Sequence, residues 1–524
     1  MGKRTAGVLG AAAAAVAALA VRDYRQPKHS ILRNYPVLGH ARYALEAIRP
    51  ELQQYFIERN WVQSPRRQRQ MCIRDSIERN WDGRPFNRNT RSLIYSRAKG
   101  QTSTKAFGTE EDVSSPGHRT FVHSMRPVEV PETPPRVHIG GDRCTQPYDM
   151  ALLNVSAMSF GSLSGRAIQA LNKGAAMGGF AHDTGEGAIS PYHRTYGGDL
   201  VWELGTGYFG ACTPEGGFDE KVFAEKARDP QVKMVSLKLS QGAKPGLGGE
   251  LPGSKVTEEV AEIRGIPVGK PFLSPAGHTV FDTPEGLLEF VDLMRKASGG
   301  KPAGFKLCVG SKREFLAVCK AMLSTDLLPD FIIVDGSEGG TGAAPQEFED
   351  HVGLPLTQGL TFVHNALVGV GLRDKIAIGA SGKVAAANDV VRRLTQGADF
   401  TNSARAMMMA VGCIQAQRCH VGTCPVGVAT QDPRRERAID VEDKAMRVKR
   451  YQQATVHEAL RLMAAMGAGE PADLRPDMIR LNTAAGVSRT YGETFDWLEP
   501  GCLVDGEVPE TWRADWEAAD PKSF

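Results

Sequence analysis

Three cysteines crowd into one short stretch, Cys413-x5-Cys419-x4-Cys424, in a chain of 524 residues with 9 cysteines in all. The others, Cys72, Cys144, Cys212, Cys308, Cys319 and Cys502, are scattered. Three thiolates in one glycine-containing loop can converge on an iron–sulfur cluster, because soft sulfur ligands suit iron and zinc. Zinc wants a fourth ligand, which His420 would supply, but the paired C-x2-C knuckles of common zinc sites are absent. Unconnected buried cysteines are the plain alternative, since free cysteine is among the most buried residue types. So few cysteines, so unevenly placed, point to a reduced compartment with one local thiol site rather than a disulfide scaffold.

A loop of this kind needs a framework, and the middle of the chain supplies its pattern. β-rich runs at 152–158, 232–239, 304–309, 331–335, 375–379 and 399–403 alternate with helical stretches such as 164–177 and 385–396. Strands alternating with helices imply a parallel sheet, and this many units suggests a closed α/β barrel, a (β/α)8 TIM barrel. A doubly wound sheet is the main rival. The barrel reading places the polar residues that end each strand around one mouth. With 41% hydrophobic and 23% charged residues the chain is an ordinary globular one, which excludes disorder and a polytopic membrane protein. Its net charge of +3 makes no electrostatic case for nucleic acid.

The flanks differ from the middle. Residues 5–21 are uncharged and alanine-rich, with Arg22, Arg25, Lys28 and Arg33 directly after them. That segment reads as a single-pass membrane anchor, a signal peptide or a plain exposed helix, and the basic run would keep the rest of the chain on the cytoplasmic side. Ile57-Glu58-Arg59-Asn60-Trp61 recurs as Ile77-Glu78-Arg79-Asn80-Trp81, and the arginine-rich 62–76 between them reads as an insertion or a sequence-assembly artefact. Val456, Ala459, Leu460 and Met463 keep helical spacing ahead of Gly467 and Pro471. The expected organisation is therefore a hydrophobic segment at 1–24, a cap at 25–130, the barrel with its cysteine loop at 131–435, and a helical extension at 436–524.

Five motifs occur in order along the barrel region. They are Ser156-Ala157-Met158-Ser159-Phe160-Gly161-Ser162, Thr184-Gly185-Glu186-Gly187, Lys238-Leu239-Ser240-Gln241-Gly242-Ala243-Lys244-Pro245-Gly246, Gly339-Gly340-Thr341-Gly342-Ala343 and Cys424-Pro425-Val426-Gly427-Val428-Ala429-Thr430-Gln431. Together they resemble the synthase domain of glutamate synthases over about 130–435, and the chain as a whole is most similar to standalone members of that family. The resemblance implies an FMN-binding barrel, a [3Fe–4S] cluster on Cys413, Cys419 and Cys424, and reduction of 2-iminoglutarate, formed from 2-oxoglutarate and ammonia, to glutamate. It also implies an electron-donor protein, a ferredoxin or an NAD(P)H-dependent reductase. The chain as given opens Met1-Gly2-Lys3, without the N-terminal cysteine of a glutaminase, so ammonia is expected free or from a glutamine-hydrolysing partner. Asp183 stands where the resemblance would put Asn.

Residue roles come from the resemblance together with residue chemistry. Ala157, Met158, Ser159 and Gly161 would let backbone approach the flavin ring. Lys306 would place a cation near flavin N1. Gly339, Gly340, Thr341 and Gly342 form a further flavin loop, and Ser381, Gly382, Ser403 and Arg405 lie at the ends of the last two strands, where barrel phosphate sites form. Lys238, Gln241 and Lys244 offer two cations and an amide to a dicarboxylate, and Glu186 is a proton donor or substrate-orienting carboxylate. Two rivals use the same framework: a transferase moving an amine or methylamine group to or from glutamate, and a non-catalytic electron-transfer subunit.

Overall fold

The computed structural model describes residues 2–52, 88–102, 116–340, 344–345, 347–348, 351–484 and 487–524. The pentapeptide repeat with its insertion, and Thr341 and Gly342, lie outside the described residues. Eight parallel strands close a barrel in chain order: β1 (Leu153–Val155), β2 (His182–Asp183), β3 (Leu200–Leu204), β4 (Val232–Lys238), β5 (Ala303–Leu307), β6 (Phe331–Asp335), β7 (Ala377–Ser381) and β8 (Phe400–Ser403). Closure comes from β8 pairing β1 through Thr401 with Leu153, Asn402 with Asn154 and Ser403 with Val155. The (β/α)8 expectation is met, and the doubly wound rival is excluded because a closed barrel has no open edge.

The alternation along each strand sorts the residues into layers. Val201, Met234, Phe331, Ile333 and Phe400 pack together inside the lower barrel, where Ile139 and Met150 of the hairpin Arg136–Ile139/Tyr148–Ala151 seal the floor. Above them the inward positions turn polar: Asn154, Asp183, Glu203, Ser236, Lys306, Asp335 and Asn402 are all buried. A dry apolar floor under a polar upper layer fixes which end of the barrel can do chemistry. It is the end where the strands finish.

Two strands escape the sequence pattern. β2 has only two residues, too few for any periodicity to register, and β3 carries Glu203 inside the barrel, where a charge reads as surface. β7 begins two residues later than expected because Arg373–Lys375 forms a 3-10 turn, which takes Lys375 out of the strand. The helix after β1, Gly165–Gly178, starts where Ser164 accepts from Ala167 N–H and ends on Gly179 in the left-handed region. It packs against the long helix Val441–Ala465, which begins the C-terminal part. That part is not helix alone: Ile479–Ala484 pairs antiparallel with both Arg119–Phe121 and Val487–Thr490, so the two flanks share one small sheet.

Residues 24–35 dock against helix Val441–Ala465 and the chain just after Cys424. Buried Lys444 donates to Pro27 O and Lys28 O, each at 3.1 Å, and Asn34 Nδ2 donates to Pro425 O and Arg435 O, each at 3.0 Å. Helix Gly2–Arg25 leads into this strap; residues 7–18 are exposed, with Val8, Leu9 and Val16 above 50% exposure, and Asp23 near its end is buried. Its segment Gly7–Arg25 is long and apolar enough, by length and composition, to cross a membrane.

The packing of Gly165–Gly178 on Val441–Ala465 is close enough to reverse a general rule. Alanine in place of a mid-helix glycine ordinarily gains about 0.5–1 kcal/mol. At Gly174, however, a Cβ would sit 2.7 Å from Val448 Cγ1 and 2.9 Å from the Ala445 carbonyl oxygen. Gly174→Ala should therefore destabilise the protein by about 1–3 kcal/mol, read as a lower midpoint of thermal unfolding. An unchanged or raised midpoint would show that the two helices separate easily.

Candidate active site

The mouth is built on the loops after β1, β2 and β4. The loop after β1, residues 156–164, folds back on itself: Ser159 Oγ meets Ser162 Oγ at 3.1 Å, and Gly161 adopts φ +99°. The turn after β2 presses against it, since a Cβ on Gly185 would meet Ser159 N at 2.8 Å and one on Gly187 would meet Ser159 Cβ at 2.6 Å. Only glycine allows that approach. Ala157 and Ser159 are partly exposed, whereas Met158 and Gly161 are buried. The first four expected flavin-loop residues thus form one tight platform at the mouth.

The four residues expected to be catalytic lie in one corner of the mouth. Lys238 Nζ lies 2.8 Å from Glu186 Oε1 and donates to Gln241 Oε1 at 2.6 Å, while Lys244 Nζ donates to Gly248 O at 2.8 Å. Lys238 and Lys244 are both buried. Burial alone would raise the Glu186 carboxyl, but Lys238, Arg264 and Lys244 outweigh it and hold it below its ordinary value. Burial lowers Lys244 from the usual ammonium range. Three cations face one buried carboxylate, with the exposed Glu250 also acting on Lys244, so the corner keeps an excess of positive charge. Glu186 is therefore ionised and ion-paired here, which suits orienting a cationic or polar group more than giving up a proton.

Two residues in this corner carried no sequence signal. Arg264 ends helix Glu258–Arg264, donates to Phe160 O at 2.7 Å and to Ser159 Oγ at 3.4 Å, and stacks over Phe209. It ties the first loop to the cation cluster. His278 bridges Lys238 O at 2.9 Å and Tyr208 OH at 3.0 Å. Burial lowers it to about 4, so it stays neutral, with Nε2–H donating to the carbonyl and Nδ1 accepting from the phenol. Both come from the long excursion between β4 and β5, where no periodicity marks a site.

Lys306 points into the barrel and donates to Glu203 Oε2 at 3.0 Å. Burial opposes its charge, but Glu203, Asp335 and Asp183 prevail and raise it above the ordinary lysine value. Across the mouth, Ser381 Oγ meets Ser156 Oγ at 3.2 Å, which ties β7 to β1, and Ser403 Oγ donates to Val384 O at 2.7 Å. Gly382 has φ +136°, and a Cβ on Gly340 would strike the Arg405 guanidinium. Gly339 faces Asp335, so this glycine loop lies between β6 and Arg405, which begins the helix after β8. Buried Asn402 Oδ1, an inward acceptor on β8, has no partner among the described residues. A backbone cradle beside an arginine, with an orphan polar atom below it, fits a phosphate-bearing planar cofactor.

The cysteine loop sits behind the first loop. Gln431 Nε2 donates to Gly161 O at 3.1 Å and Leu163 O at 2.9 Å, and Ser164 Oγ donates to Gly427 O at 2.7 Å. Cys413 and Cys424 are buried and Cys419 is partly exposed. Burial first, then the neighbouring Cys419 and Cys424, pushes the Cys413 thiol up to about 12. Cys419 is raised by burial and Cys424 against Arg405 and Lys255. Gln415 and Gln417 both hold positive φ, and Gln415 N–H donates to Cys413 Sγ at 3.4 Å. The three thiols are thus neighbours in a strained loop. Among the described residues, however, no set of three His, Cys, Asp or Glu side chains is disposed to hold a metal ion. His420 is exposed and belongs to no such set.

Residues 134–469 match the family model for the conserved region in glutamate synthase. The glutamate synthase large subunit-like protein YerD of Bacillus subtilis is 37% identical, over 86% of this chain and 89% of its own length. An archaeal glutamate synthase [NADPH] of Methanocaldococcus jannaschii is 34% identical over 62% of this chain and 61% of its own. The chain thus spans about three fifths of that relative. The flavin-binding domain of baker's yeast flavocytochrome b2 overlays with a TM-score of 0.42 at 14% identity, covering 81% of this chain and 85% of that one, too loosely to argue from. The matched region takes in the whole barrel, the three mouth loops and the three clustered cysteines, and this protein belongs to the glutamate synthase family.

Proposed function

We propose that this protein is a flavin- and iron–sulfur-dependent oxidoreductase that reduces 2-iminoglutarate, formed from 2-oxoglutarate and ammonia, to glutamate. The observation that carries the reading is the cation corner: Lys238, Lys244 and Arg264 face the single buried carboxylate Glu186, an excess of positive charge that a dicarboxylate would neutralise. Lys244 and Arg264 would bind the carboxylates, and Lys238, already paired with Glu186 and Gln241, would fix the orientation of the carbon to be reduced. FMN would rest on Ala157, Met158, Ser159 and Gly161, with Lys306 beneath it and its phosphate near Gly382, Ser403 and Arg405; it supplies the hydride. Gly185 and Gly187 let the 184–187 turn pack directly against Ser159, which would hold the 156–162 loop in place beneath the ring.

Cys413, Cys419 and Cys424 would carry a [3Fe–4S] cluster, with a ferredoxin or an NAD(P)H-dependent reductase as donor. The support is their electrostatic coupling, the Gln415 N–H aimed at a sulfur, and the hydrogen bonds from 427–431 into the first loop. Cluster binding requires the loop to draw the thiols together from their positions here. Ammonia would come free or from a glutamine-hydrolysing partner. The exposed helix Gly2–Arg25, with Arg22 and Arg25 in its last turn and Lys28 beyond it, would anchor the chain in a membrane with the barrel on the cytoplasmic side.

Denaturing the purified holoprotein should release FMN; release of FAD, or of no flavin, would remove the phosphate assignment. Lys306→Met should lower the flavin midpoint potential while FMN stays bound, because an anionic reduced flavin loses its cation. An unchanged potential would leave Lys306 as the partner of Glu203 alone.

Lys244→Ala should weaken 2-oxoglutarate binding about 10–100-fold, the loss of one charge-assisted hydrogen bond, with FMN content unchanged. Equal affinity would move the dicarboxylate elsewhere. Cys419→Ser should abolish the electron paramagnetic resonance signal of an oxidised three-iron cluster and block donor-driven turnover. Zinc without iron in anaerobically prepared protein would make the loop structural.

A further inference from the structure

The upper barrel buries more negative charge than Lys306 can balance. Asp183 ends β2, Glu203 lies in β3, Lys306 in β5 and Asp335 ends β6, and each is less than 10% exposed. Lys306 Nζ is bonded to Glu203 Oε2 at 3.0 Å, and a second ammonium nearby, Lys238 of β4, is bonded to Glu186 at 2.8 Å. Asp183 Oδ1 accepts from Gly185 N–H and Asp335 Oδ2 from Gly242 N–H, each at 3.0 Å, and neither amide cancels a charge. Ser236, the β4 register partner of Glu203, is fully buried, and its Oγ has no partner among the described residues. Three carboxylates around one ammonium in a dry layer are not sustained; the least costly remedy is a proton.

Asp183 is the place for it. Glu203 has the ion pair with Lys306; Asp335 is raised by burial, but the same lysine and the Gly242 N–H both draw on it. Asp183 has no ion pair among the described residues, and its neighbours are Glu203 of β3, Lys306 of β5 and Lys238 of β4. Burial first, then Glu203, raise its carboxyl to about 8 against the pull of both lysines. The Gly185 turn that it holds packs on Ser159 and opens into Glu186, so the carboxyl lies directly behind the cation corner. A dicarboxylate held there by Lys244 and Arg264 would bring negative charge beside Lys238 and weaken its hold on Asp183 behind it.

We propose that Asp183 is a proton-holding positioning residue: a dicarboxylate entering the corner draws a proton from solvent onto Asp183, which keeps the 184–187 turn in place beneath the substrate. This rests on the dicarboxylate reading above. No bond to carbon changes; one solvent proton moves to one carboxylate oxygen.

Calorimetry of 2-oxoglutarate binding to the FMN-loaded full chain at pH 8, in two buffers of different ionisation enthalpy, measures the uptake. A measurable fraction of a proton should be taken up by the natural protein, and close to none by Asp183→Asn. Binding without uptake, or equal uptake by the variant, overturns the proposal. If 2-oxoglutarate does not bind at all, the dicarboxylate reading fails, and the ligand-free protein still decides the role of Asp183.

An aspartate raised to about 8 in the fold keeps a proton that the unfolded chain loses near 3.8. Stability should therefore fall as pH rises between those values and level off above them. Asp183→Asn lacks that slope, so its unfolding midpoint should exceed the natural protein's by roughly 2–5 °C at pH 8 and converge with it below about pH 4. Parallel curves overturn the assignment. Should Asp183→Asn fail to fold, Glu203→Gln removes the facing carboxylate and should shift the falling limb to lower pH; an unshifted limb counts equally against it.

Discussion

Burying ionisable groups inside a closed barrel is the constraint on which the rest of this structure depends. The lower layer is apolar and filled by Met234, Phe331, Ile333 and Phe400, so charge can be accommodated only above it. Lys306 and Glu203 form the anchor pair there, on strands separated by β4, and around them the mouth divides into an acidic interior and a cationic rim. Charge separation of this kind pre-sets the field in which a dianionic substrate and an electron-rich cofactor would sit, without rearrangement at the moment of reaction.

The second feature is physical continuity from the cysteine loop to the mouth. Gln431 grips Gly161 O and Leu163 O, Ser164 grips Gly427 O, and Arg264 grips Phe160 O from the opposite side. The loop at 156–164 is thus clamped between the thiols and the cation corner. On its outer side the cysteine region is held by residues 24–35 through Asn34 and Lys444, while Tyr95 OH donates to Cys413 O at 2.6 Å. The N-terminal flank therefore reaches the cysteine region directly, and the exposed helix ahead of it ends close to that face.

How much of this was legible depends on whether local pattern or distant packing set each residue. β4 and β6 could be read because branched apolar runs end in Lys238 and Asp335, and the cysteine spacing, the glycine turns and the paired lysines announced themselves by residue type. β2 could not be read, because two residues carry no period, and β3 was hidden by Glu203, a charge that looks like surface until the barrel closes around it. Arg264 and His278 act through contacts with Phe160 and Lys238, which lie 104 and 40 residues away in the chain. Lys238 was readable as a carboxylate binder, but its partnership with Glu186 was not, since only the fold brings the two loops together.

The most direct test of glutamate formation at this mouth is a single turnover. The FMN-loaded full chain, reduced stoichiometrically without oxygen, would be mixed with 2-oxoglutarate and ammonia while flavin absorbance and glutamate are measured. A flavin that delivers its hydride to the imino acid must reoxidise and yield one glutamate per flavin, with neither when 2-oxoglutarate is omitted. A flavin that stays reduced, or reoxidises without glutamate appearing, would contradict it.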